Sequence, residues 1–251
     1  MAAFNWTQMI PGVAENHLEH VATLGIASVA ALGVGFLARA SLGSGEAAIL
    51  PASRFSLRGV FEVVTEMIAA LTEMVIGPHG RKFTAMFSSV FFFVLLNNLL
   101  GVIPGMTPAT ENINTTLGFG LFMFIFYNTM GIKEVGFFNY MKHFLGPFAS
   151  MHPETLSAKI LNFVFGVLIL GTFMFFIELI SHAVRPMSLG LRLANVMMGD
   201  HIVVGVFLDL FWALVPVPFY VIGLFVCFVQ AFVFTLLSMV YVALATAHEE
   251  H

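Results

Sequence analysis

Long apolar runs separated by short polar clusters dominate the chain, and five of them are judged against the ~20 apolar residues a helix needs to cross a bilayer. The first covers residues 21–38, between Glu19 and Arg39, and the second covers 83–103, after Arg81 and Lys82. The third, 115–132, is free of charge until Lys133. A fourth begins near Ile160, in an arm spanning 157–214, and passes Glu178 and Arg192 toward Leu208. The fifth, 216–247, carries no charged residue and opens on Pro216 and Pro218. Residues 55–77 follow another pattern. Phe61, Val64, Met67, Ile68, Leu71 and Met74 recur at three- and four-residue spacing, with Glu62, Glu66 and Glu73 off that stripe. This predicts an amphipathic helix lying at the interface or packed on another helix.

The expected fold is an all-α integral membrane protein with about five membrane-embedded helices, an amphipathic interfacial helix and a long tilted C-terminal helical hairpin. No internal repeat or soluble module is visible, so residues 1–251 read as a single membrane domain. A continuous helix over 160–214 would measure roughly 80 Å at ~1.5 Å per residue, against a hydrocarbon core of ~30 Å. It must tilt strongly, break, or start in the interface. Asp209, Trp212, Pro216 and Pro218 read as a hairpin tip, where a charge, an indole and helix breakers are tolerated. Measured from that tip, Arg192 and Gln230 lie roughly level on the two arms. Pro186 and Gly190 permit a bend or an unwound turn just before the arginine.

Composition agrees with the pattern. Hydrophobic residues make up 59% of the chain and charged residues only 10%, against ~25% charged in a soluble domain; mean hydropathy is +0.95. The net charge of −4 is dispersed, and nucleic-acid binding, which needs a clustered basic face, is not expected. Cys227 is the one cysteine, so no intrachain disulfide forms. No Lys or Arg precedes Arg39, so the first span lacks the basic flank of a secretory signal and reads as part of the mature protein. Arg39, Arg54, Arg58, Arg81 and Lys82 follow the first span, and Lys133, Lys142 and Lys159 flank the connection after the third. By the positive-inside rule the N-terminus is outside, 39–82 and 133–159 are inside, and the C-terminus is cytoplasmic.

Arg192 is the outstanding chemical feature, a permanently charged guanidinium in a nearly continuous apolar stretch from Met187 to Met198. Such a charge at membrane depth marks a functional site by default and needs a negative partner. Glu178 and Asp200 are the nearest carboxylates in sequence, and a partner on another chain fits equally. On a helix, Ser188, Asn195, Val196 and Gly199 share the face of Arg192, and the small residues Ser188, Ala194 and Gly199 permit close helix approach. With the arm running outward from Ile160, Glu178 and His182 lie nearer the cytoplasm and His201 nearer the outside. No GxxxxGK[ST], GxSxG or HExxH motif occurs, so no cofactor, metal or site for ATP chemistry is expected in this chain.

The run Arg185-Pro186-Met187-Ser188-Leu189-Gly190-Leu191-Arg192-Leu193, with Glu178 fourteen residues before the arginine and Gln230-Ala231-Phe232-Val233-Phe234 after it, resembles subunit a of the F-type ATP synthase. So do Asn98-Leu99-Leu100-Gly101-Val102-Ile103-Pro104 and Asn112-Ile113-Asn114, and the likeness covers residues 83–250. The resemblance implies a proton-channel stator in the bacterial inner membrane, an angled hairpin wrapped against a ring of c subunits, and partners in the peripheral stalk b subunits and the rest of the complex. It implies that Arg192 faces the ring carboxyl with Gln230 close by, separating two aqueous half-channels.

Three positions depart from the family pattern. The Asn usual four residues after the arginine is Val196, with Asn195 one place earlier. His201, preceded by Asp200, stands where members carry Glu or His. Gly223 stands where some carry a titratable residue, so Asp200 and His201 take more of the proton-uptake role. The proton-handling set is therefore Arg192, Glu178, His201, Gln230, Asp200, Ser188 and Asn195. Structural roles stand beside these: Glu178 as a snorkelling or capping carboxylate, His201 as a satisfied buried histidine, and Asp209 as an interfacial tip residue. Asn98, Asn112 and Asn114 read as helix-end or loop hydrogen-bonders, and the His17/His20 and His248/His251 pairs as solvated termini. A secondary transporter holding an anionic substrate on a midplane arginine is the alternative class, although such folds usually show two related halves.

Overall fold

The computed structural model describes residues 5–13, 15, 18–40, 56–137, 140, 170–210 and 216–246. The start of the fourth arm at 157–169, the tip around Trp212, the side chains of Asp209 and Pro216, and His17, His248 and His251 lie outside the described residues. Among the described residues the regular structure is wholly helical, in six α-helices: α1 (Glu19–Ala40), α2 (Leu57–Ile76), α3 (Thr84–Leu100), α4 (Ile113–Val135), α5 (Thr172–Leu210) and α6 (Pro216–Thr246). Five helical spans among the described residues are long and apolar enough to cross a membrane, the second including the 3-10 turn Pro78–Phe83 ahead of α3.

The chain forms two compact units, Met1–Gly118 with Leu189–Val240, and Phe119–Ser188 with Tyr241–His251. In the first, α1 packs on α3 and on the 3-10 turn Ala109–Glu111. α2 begins where the Ser56 side chain accepts from the Gly59 amide at 2.9 Å and ends at Gly77 (φ +94°), whose N–H bonds the Glu73 carbonyl. This helix packs on a neighbour: Phe61 stacks on Phe92 of α3 at 4.2 Å. Its buried centre is Ile68 with Thr72, while Met74 is exposed. The Thr72 hydroxyl donates to the Ile68 carbonyl at 2.6 Å, which lets a polar residue occupy an apolar contact.

Phe87, Phe91, Val94 and Asn98 of α3 and Cys227, Ala231, Phe234 and Ser238 of α6 are buried, and the two helices meet where Asn98 Nδ2 reaches the Cys227 carbonyl at 3.4 Å. Phe91 and Phe228 make an edge contact at 5.6 Å. α5 and α6 run antiparallel here, because Phe207 stacks on Phe219 at 3.8 Å while Asp200 lies against Gly223. Both pairs are centred near the 211–215 connection.

The sequence allows an unwound turn at Pro186 and Gly190, and the structure has none: α5 is helical throughout its 39 residues with Pro186 inside it. Proline forfeits one helical hydrogen bond, whereas unwinding would strand several backbone groups where water is scarce. Gly190 serves another purpose. A Cβ there would stand 2.7 Å from the Thr116 carbonyl oxygen and 3.0 Å from Leu117 Cα, so its bare backbone is what lets α5 touch α4. At ~1.5 Å per residue α5 is about 58 Å long, so crossing a core of ~30 Å requires a steep inclination.

In the second unit, Met123 and Tyr127 of α4 are buried. Gly131 lies against Tyr140 and Ala245, where a Cβ would stand 2.7 Å from the Tyr140 ring and 2.8 Å from the Ala245 carbonyl oxygen. Tyr140 donates its hydroxyl to Asn128 Oδ1 at 2.7 Å, and burial, then the neighbouring Tyr127, pushes that phenol up to about 12. It remains a neutral donor at physiological pH.

Candidate functional site

The Leu189–Leu210 part of α5 presents two contrasting faces. Leu189, Leu193, Ala194 and Met197 are buried, whereas Arg192, Asn195 and Gly199 are exposed. Helical periodicity alone produces this division, since positions three, four and seven apart share a face. Among the described residues no hydrogen bond or ion pair engages Arg192. Gln230 is half-buried on α6 in the same unit.

About two turns further along α5, the carboxylate of Asp200 occupies the space above Gly223. A Cβ on that glycine would come within 2.8 Å of Asp200 Oδ2. The missing side chain of α6 is thus matched by a carboxylate projecting from α5. Asn195, Val196, Gly199 and Asp200 line one wall of a groove of about 410 Å³, and Phe219, Ile222 and Val226 line the other.

Next to Asp200, His201 Nδ1 is 2.7 Å from Glu111 Oε2. The turn bearing Glu111 is fixed from beneath: Thr110 donates its hydroxyl to Asn98 Oδ1 at 2.8 Å, and Asn98 Nδ2 reaches the Cys227 carbonyl at 3.4 Å. Asn112 accepts from the Asn114 amide at 2.9 Å and starts α4. A polar recess of about 400 Å³ adjoins Glu111, with Gln8, Glu19, His20 and Asn112 in its wall. Its rim is tied down by the N-terminal segment, where Asn5 bonds Thr107 and the Trp6 amide donates to the Gly105 carbonyl at 2.9 Å.

The second unit holds a separate cluster. Glu178 Oε1 lies 3.2 Å from Arg185 Nη2 and 3.2 Å from His182 Nε2, so its cationic partner is Arg185. Ser188, half-buried, ends this unit's share of α5. Glu111, Tyr127 and Arg185 are the participants that sequence reasoning passed over as site residues. Glu111 was visible as the one charge in its loop, but nothing periodic linked it to a residue ninety positions away.

Residues 21–243 match the family described as ATP synthase A chain. The chain belongs to the ATP synthase A chain family. A relative named ATP synthase subunit a, from Bdellovibrio bacteriovorus, is 63% identical over 98% of this chain and 99% of its own length. Relatives of the same name from a Sulfurihydrogenibium species and from Trichlorobacter lovleyi are 39% and 38% identical, covering 78% and 76% of the chain and 84% and 76% of their own lengths. Membership in the ATP synthase A chain family, together with five membrane-capable helices, makes this a bacterial membrane protein of ATP synthesis and proton transport.

Proposed function

We propose that this chain is the stator of a rotary ATP synthase and forms two aqueous half-channels that load and unload protons on the carboxyls of a c-subunit ring, with Arg192 between them. The whole chain acts as one membrane domain, held by peripheral stalk b subunits, with its N-terminus outside and its C-terminus cytoplasmic. The observation that carries this reading is the exposed Arg192, without a partner among the described residues, on the face of α5 opposite its buried stripe. A permanent cation in a membrane-crossing helix calls for a carboxylate from outside the chain.

The mechanism follows from a fixed cation beside a moving acid. A protonated ring carboxyl is neutral and tolerates lipid, whereas its ionised form would cost several kcal/mol or more. Opposite Arg192 the ionised form is stabilised, so the proton leaves to one half-channel, and the site reloads from the other before returning to lipid. Because a guanidinium does not give up its proton, Arg192 also blocks direct passage between the channels. A membrane potential contributes about 2.3 kcal/mol per charge per 100 mV to the bias. The antiparallel pairs Phe207–Phe219 and Asp200–Gly223 support a register in which Gln230 stands level with Arg192.

On the outer side, the polar recess, Glu111, His201 and Asp200 make an uptake path toward the groove. Its carboxylate hangs from α5 because α6 offers Gly223. His201→Leu and Glu111→Gln should each slow ATP-driven pumping about tenfold with assembly intact, and change the external pH dependence within about pH 5–8. Since the two residues act through one contact, the double variant should be no slower than the slower single variant. Wild-type rates and pH profile in both would assign the pair to structure.

Crosslinking tests the ring-facing surface. Single cysteines at Ser188, Asn195 and Gly199 should join cysteines flanking the ring carboxyl and stall rotation, while cysteines at buried Ala194 and Met197 should react far less. Equal yields from both faces would remove the rotor interface. The transporter alternative is not favoured by the family match.

A further inference from the structure

We propose that His182 is a proton relay beside Glu178, a role that rests on the reading of Arg192 given above and extends it along the path on the Glu178 side. His182 is buried in a stretch of α5 whose neighbours, from Phe173 to Val184, are mostly exposed. Its Nδ1 lies 3.2 Å from the Tyr127 hydroxyl on α4. Its Nε2 lies 3.2 Å from Arg185 Nη1 and also 3.2 Å from Glu178 Oε1. Among the described residues, Tyr241 of α6 has its ring 6.0 Å from that of Tyr127, and Tyr140 donates to Asn128, the next residue of α4.

One nitrogen therefore faces a group that only donates and a group that only accepts. With a lone pair on Nε2, the imidazole accepts from Arg185 and donates Nδ1–H to Tyr127. With a proton on Nε2, it donates to Glu178, and Arg185 Nη1 must draw back from a second N–H. The transfer balances without a co-reactant: the Nε2–H bond of the imidazolium breaks, an O–H bond forms on Glu178, and the freed electron pair accepts from Arg185. Arg185 reinforces each arrangement in turn, holding ionised Glu178 through Nη2 or neutral His182 through Nη1.

The test uses the intact complex in inverted vesicles, with the pH varied on the Glu178 side and held constant on the other. His182→Gln keeps hydrogen-bonding capacity but cannot carry the proton. It should assemble, pump at least about tenfold more slowly, and lose the inflection in rate that the native complex shows within about pH 5–8. A native rate and profile in this variant would overturn the proposal. Should His182→Gln fail to assemble, Tyr127→Phe decides. It nearly conserves volume and removes the hydroxyl that faces Nδ1, along with that hydroxyl's contacts to Asn128 and Arg185, so a displaced inflection supports the relay and an unmoved one overturns it. Arg192→Ala in the same preparation separates the two claims. Pumping that survives it defeats the rotary reading, whereas Arg192-dependent pumping with a native His182→Gln profile defeats the relay alone.

Discussion

Arg192→Ala and Arg192→Lys should both abolish ATP-driven proton pumping in membrane vesicles while the complex still assembles. The alanine variant removes the cation that drives the ring carboxyl to ionise. The lysine variant keeps a positive charge but replaces a planar fork of five donors with a compact, strongly hydrated ammonium that loses its proton more readily when desolvated. Arg192 is exposed and engages no partner among the described residues, so neither change opens a cavity in the fold. Loss of pumping with normal amounts of assembled protein would therefore report on translocation. Full pumping by the lysine variant would sink the assigned role.

Gly190→Val should have the second large effect, on assembly. The atoms a side chain would meet at 2.7–3.0 Å are the Thr116 carbonyl group and Leu117 Cα, all backbone of α4. Backbone cannot rotate aside as a side chain does, so α4 and α5 would have to separate. Overpacking of this kind typically costs about 1–3 kcal/mol and sometimes more, while Ala for Gly in a helix ordinarily gains roughly 0.5–1 kcal/mol. Gly190→Ala should consequently lower the detergent-melting temperature despite its better helix propensity, and Gly190→Val should leave little chain in the assembled complex. Normal yield and melting behaviour of the valine variant would show that the close approach is dispensable. Measuring yield for the Gly190 variants and pumping for the Arg192 variants keeps packing and chemistry apart.

The two effects differ in how visible they were before folding. Arg192 stands out because a charge in an apolar run is a local property of the sequence. Gly190 was legible only as a place beside Pro186 where a bend or an unwound turn is permitted, whereas the structure keeps helix there and uses the bare backbone for a tight contact with α4. The amphipathic stripe of α2 shows the same limit: period alone gave the helix, yet Thr72 is buried and Met74 exposed, because the choice of face belongs to the neighbours. His201 was identified by the resemblance, as the position where family members carry Glu or His, and Asp200 as its neighbour and one of the carboxylates nearest Arg192 in sequence. Their partners Glu111 and Gly223 are set by how separate helices pack.

By itself the sequence determined the helices and the membrane environment. Both follow from local sums, apolar length against bilayer thickness and the energetic penalty of an unsatisfied backbone in lipid. It also marked the arginine motif that ties the chain to its family. The Glu178, His182 and Arg185 cluster follows from helical spacing, whereas only the tertiary structure decided that Tyr127 meets His182, that Asp200 fills the space Gly223 leaves open, and that Glu111 meets His201. Those three contacts join residues on different elements that no periodicity relates, and they form where the elements approach within hydrogen-bond or van der Waals reach, a distance set by packing rather than by any local preference of the chain.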